Sequence, residues 1–166
     1  MGQWGRFCLS RGRKRLLTIL CLVVLVACSD KVEQEESIQV VESESQVVYV
    51  QELGVIAPSV CMETDTSDPD SFLIDIQVMG ELEEWVDPSS NRTIDSRDVL
   101  QAQNVDGRFF CTGNNLQLTK ELTENELEQW IREGNLRVSL TDMNGELITE
   151  QALTDFKVGN LDGSVE

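Results

Sequence analysis

Two residue types in this chain could carry chemistry, and a third is missing. Five cysteines, Cys8, Cys21, Cys28, Cys61 and Cys111, offer thiols for acylation or disulfide formation. Thirty Asp and Glu residues offer oxygen ligands and acid–base pairs. Histidine is absent, which removes Ser-His-Asp and Cys-His nucleophile sets, histidine metal sites and histidine proton switches. A glycosidase needs only two carboxylates, so that class stays open.

The elements around Cys28 define what its thiol is for. Arg6, Arg11, Arg13, Lys14 and Arg15 make a cationic start with no acid among them, which favours the cytoplasmic side of a membrane. Leu16 to Ala27 is apolar except for Thr18; as a helix it would cover roughly 18 Å against a hydrocarbon core of about 30 Å, too short to span stably. Leu25-Val26-Ala27-Cys28 closes this run where the chain turns acidic and polar. The segment resembles the signal peptide and lipobox of bacterial lipoproteins, a resemblance confined to residues 1 to about 30.

That resemblance implies cleavage before Cys28, a diacylglyceryl group on its sulfur and, usually, acylation such as palmitate on the new amino terminus. At about 0.8 kcal/mol per buried methylene, two or three chains hold a protein on a bilayer where one would not. In Gram-negative members, Asp after the cysteine retains the protein in the inner membrane. Ser29 stands there instead, so the resemblance implies the outer membrane, facing the periplasm. Myristoylation after Met1-Gly2 fails, because Arg6 replaces the required Ser or Thr.

Processing also simplifies the charge and thiol count. Five of thirteen basic residues leave with the leader, so eight bases face thirty acids, a net of 22 negative charges on residues 28–166. Nucleic acid and anionic lipid surfaces are disfavoured as partners. Cys8 and Cys21 leave, Cys28 is acylated, and Cys61 with Cys111 remain to form a disulfide in an oxidising compartment. Two separate buried thiols are the alternative.

The densest carboxylate cluster is Asp65-Thr66-Ser67-Asp68-Pro69-Asp70. As an EF-hand it would need Gly where Asp70 stands and Glu where Ile76 stands, so a solvated turn explains it better than calcium. No metal or other cofactor is expected. Asn91-Arg92-Thr93 is a glycosylation sequon of little meaning in the bacterium that the lipoprotein resemblance implies. Trp85 precedes the long polar stretch Ser89–Arg97; it is the candidate partner contact, unless it closes the core at a strand end.

Residues 28–46 are rich in Glu, Ser and Gln and predict an acidic tether, although Ile38-Gln39-Val40-Val41 could start a strand. Residues 47–158 predict one domain, and 159–166 a flexible tail. Phe72-Leu73-Ile74-Asp75-Ile76-Gln77-Val78 alternates apolar and polar, the pattern of a half-buried strand. Val47–Gln51, Ser59–Met62, Asp98–Gln103, Arg108–Cys111, Leu116–Leu118 and Leu136–Thr141 are further strand candidates. Asp106-Gly107 and Asn144-Gly145 predict type I′ hairpin turns, and Pro58, Pro69 and Pro88 are expected between strands. One helix stands out near 124–133: Thr123 caps it, Glu126 completes a capping box, and Leu127, Trp130 and Ile131 form an apolar stripe ended by Gly134.

These elements predict a mainly β chain, a β-sandwich for which an immunoglobulin-like arrangement is one form, with a single short helix on a crossover. The functional expectation is a non-enzymatic, lipid-anchored periplasmic binding, envelope-assembly or secretion-accessory module, its partners being the membrane through Cys28 and an envelope protein. A carboxylate-dependent hydrolase or calcium-dependent carbohydrate-binding domain is the alternative. Alkylation of the processed protein followed by mass measurement should find Cys61 and Cys111 blocked before reduction and both labelled after it; labelling without reductant would contradict the pairing.

Overall fold

In a computed structural model, residues 37–160 are described. Strand β3 (Val55–Thr64) organises the first sheet, because both of its edges are paired. Along one edge lie β1 (Ile38–Val40) and β2 (Gln46–Val50), and along the other β6 (Phe109–Gly113) and β7 (Leu116–Gln117), all antiparallel. Beyond β2, β10 (Phe156–Gly159) adds in parallel. The second sheet runs β5 (Ile94–Asp95), β4 (Phe72–Val78), β8 (Leu136–Asp142), β9 (Leu147–Ala152).

Alternation determines which faces meet. Val47, Tyr49, Ile56, Val60, Met62 and Phe110 of the first sheet are buried, as are Phe72, Ile74, Ile76, Val138 and Leu140 of the second. The Phe72 and Phe110 rings meet between the sheets at 6.2 Å. Each such buried side chain contributes about 1.5–3 kcal/mol. The fold is a mainly β, two-sheet sandwich.

Two helices carry the chain between sheets. Helix α2 (Glu124–Arg132) has the expected Thr123–Glu126 capping box, with Leu127 and Ile131 fully buried and Gly134 at φ +82°. Helix α1 (Ser96–Gln103) corrects the strand expected at Asp98–Gln103. The Asp95 carboxylate accepts the Arg97 N–H at 2.9 Å, and Asn104 ends the helix at φ 51°. With Ser96 and Val99 buried three residues apart, a helical face is satisfied and a strand face is not.

Other expectations change as well. Asp106-Gly107 makes no hairpin: it links α1 to β6, its Gly107 N–H donating to the Ser67 carbonyl at 3.2 Å. The β8–β9 hairpin does turn at Asn144-Gly145, but Gly145 alone has positive φ, +87°, so the turn is not type I′. Ile38–Val40, placed in the tether, instead pairs with Met62–Thr64. Apolar cross-strand contacts of Ile38 and Val40 with the core outweigh the polar composition around them.

The gap between β1 and β2 is closed by one hydroxyl. Ser45, buried, donates to the Val41 carbonyl at 2.9 Å and accepts the Cys61 N–H at 3.0 Å. Pro58 lies inside β3 rather than between strands. Its register partner Val47 sends its N–H to Asp155 in the opposite direction, 2.7 Å, so the imide nitrogen of Pro58 faces the break between β6 and β7. No ladder bond is lost there.

Gly113 allows that close approach. A methyl group on it would lie 1.8 Å from the Pro58 carbonyl oxygen, so β3 and β6 would have to part. Gly113→Ala should therefore lower stability by about 1–3 kcal/mol in urea unfolding. An unchanged midpoint would contradict the contact.

Candidate functional site

Cys28 lies outside the described residues. Cys61 and Cys111 face each other across β3 and β6 and are joined as a disulfide, with Cα atoms 4.0 Å apart. Closing a loop whose ends are 50 residues apart contributes about 4 kcal/mol in the chain-entropy account. The Cys61 peptide is held from the other side too, accepting the Val41 N–H at 2.8 Å. The bond thus cross-links strands that the ladder has already aligned.

Trp85 is half-buried and packed against the core. Its backbone is fixed first: its carbonyl accepts the Thr119 N–H at 2.8 Å, and Val86 bridges to Leu118. Its ring then meets Trp130 of α2 at 5.8 Å, and the Lys120 ammonium stands 4.8 Å from the ring centre. Trp85 therefore closes one end of the core while keeping part of its ring outside. Neither Trp130 nor Lys120 was legible as its neighbour, because the two lie 45 and 35 positions away along the chain.

The carboxylates divide by what binds them. Asp65, Asp68 and Asp70 stand exposed on the loop between β3 and β4, and among the described residues no three His, Cys, Asp or Glu gather to hold a metal. Asp142 accepts the Glu146 N–H at 2.7 Å and the Asn144 N–H at 2.9 Å. These bonds, Glu146 first, hold its carboxyl below the usual range. Glu126 is held low by Thr123, and Asp87 by Ser89. All three are displaced toward the anion, the direction opposite to that of a general acid.

A broad groove of about 820 Å³ runs between the 3-10 turn Gln51–Leu53 and residues 118–124. Its floor is Tyr49, whose hydroxyl donates to the Leu122 carbonyl at 3.0 Å. Burial, and then Glu121, raise the Tyr49 phenol above its ordinary value. Glu52, Glu121 and Glu124 on its rim are exposed, so the groove contains no desolvated carboxyl among them. Asn91 of the sequon has an internal use: its amide donates to the Ile76 carbonyl at 2.5 Å and accepts from Asn114 at 3.0 Å.

The edge of the second sheet is what sequence reading missed. Strand β9 pairs only with β8 among the described residues, and Leu147, Ile148 and neighbouring Met143 are exposed. The apolar pair Leu147-Ile148 was the available signal, since a strand with one wet face does not place two such residues in succession. Compared with protein-family models, curated proteins and solved structures, the chain matches none.

The paired indoles generate a prediction. A double-mutant cycle on Trp85→Ala and Trp130→Ala should give a coupling of about 0.5–1.5 kcal/mol in thermal or urea unfolding. Strict additivity would mean that the rings do not support each other.

Proposed function

We propose that this protein is a lipid-anchored binding or envelope-assembly module of the periplasm, held through acylated Cys28 and working by protein contact without catalysis. The observation that carries the reading is Leu25-Val26-Ala27-Cys28, set behind a cationic and then apolar leader. Ser29 directs it to the outer membrane in the lipoprotein pattern. Strand β9 supports the binding role: among the described residues it pairs only with β8, and it carries exposed Leu147 and Ile148. The downward displacement of Asp87, Glu126 and Asp142 gives no support to a carboxylic acid catalyst.

Cys28→Ala tests the anchor. The variant should move from the membrane to the soluble fraction with an unchanged melting temperature, while the parent, crosslinked in its envelope, should recover a protein partner. Membrane attachment that survives the substitution would contradict the reading, and recovery of no envelope protein would count against the assembly role.

A further inference from the structure

We propose that the end of the sandwich bearing the β8–β9 hairpin seats on the bilayer that carries the anchor, with Met143 and Leu147 at its headgroup boundary. This rests on the lipid-anchored reading and adds to it an orientation and a second contact. Strand β1 begins at Ile38, ten residues after Cys28. A chain advances at most about 3.6 Å per residue, so an acylated sulfur there lies within roughly 36 Å of Ile38 whatever the path between them.

Topology shows which end that is. Ile38 pairs with Thr64, Thr64 leads through residues 65–71 to Phe72, and Phe72 pairs with Asp142 at the base of the hairpin. Gly107 ties the entry of β6 to the same loop through Ser67. Seven large hydrophobics are exposed among the described residues, and five of them, Val105, Phe109, Met143, Leu147 and Ile148, belong to this end. Leu53 and Met79 belong to the other, beside Val55 and Val78. Met143 and Leu147 are the most exposed, at 58% and 60%.

The anchor makes a weak apolar contact effective. Once the lipid is inserted, the second encounter is intramolecular, so a tip too small to recruit a free protein can rest at the interface. Charge selects the surface. Asp65, Asp68, Asp70, Asp106 and Glu146 stand on the same loops and would repel anionic headgroups, so the suitable surface is zwitterionic.

The test uses full-length, processed and lipidated protein in phosphatidylcholine vesicles, with and without brominated acyl chains. Native Trp85 and Trp130 lie toward the opposite end, where Leu118 follows the Gln117 partner of Val55. In Met143→Trp, brominated lipid should reduce the added fluorescence about twofold while leaving the native signal of the parent unchanged. Adding Leu147→Asp should abolish the quenching. Vesicle flotation without quenching at position 143 overturns the seating and leaves the anchor intact. Equal quenching of the native indoles overturns the end-on orientation. Quenching that survives Leu147→Asp assigns the contact to the introduced indole and also overturns the proposal. Failure to float overturns the anchored reading, and the seating with it.

Discussion

Pairing of β3 along both edges is the constraint from which the rest of this structure follows. A ten-residue strand held on two sides fixes the register of four others, and each register decides which side chains enter the core. Ile56, Pro58, Val60, Met62 and Thr64 point inward together, and the second sheet closes over them through Phe72 and its neighbours. Where the flanking strands break, polar groups complete the pairing. Ser45 serves Cys61 between β1 and β2, while Pro58 needs nothing at the break between β6 and β7.

The disulfide and the amino-terminal strand act on the same part of β3. Cys61 is joined to Cys111 through its side chain and to Val41 and Ser45 through its backbone, so entry of the chain is coupled to the cross-link. In the proposed anchored form, pairing of β1 would leave a shorter tether after Cys28. A tether ending at Val47 would have let the domain move freely above a bilayer. In the proposed anchored form, strand β1 from Ile38 would leave the end that carries Met143 and Leu147 the nearer one to the lipid.

Much of this was legible locally. Strand β4 was visible because Phe72, Ile74 and Ile76 repeat at period two, and α2 because Thr123, Glu126 and Gly134 mark both its ends. The cysteine pairing was expected because the lipoprotein resemblance leaves only Cys61 and Cys111 unassigned. Long-range features were not legible. Pro58 looked like a boundary because its tolerance depends on a gap opposite, between Gly113 and Leu116, more than fifty positions away. Helix α1 was hidden by its length, since eight residues show barely two turns of periodicity. Trp85 could be chosen as unusual, but its contacts with Trp130 and Lys120 arise only when three segments converge.

Pairing of β1 with β3, which takes Ile38–Val40 out of the tether, has a direct test in native-state hydrogen exchange. The Val41 N–H donates to the Cys61 carbonyl at 2.8 Å, continuing the β1–β3 register one residue past Val40. This amide should be protected at least about 100-fold over an unstructured chain, close to the amides of β3. Exchange at the free-chain rate, with β2 and β3 still protected, would place residues 37–45 in a tether and contradict it.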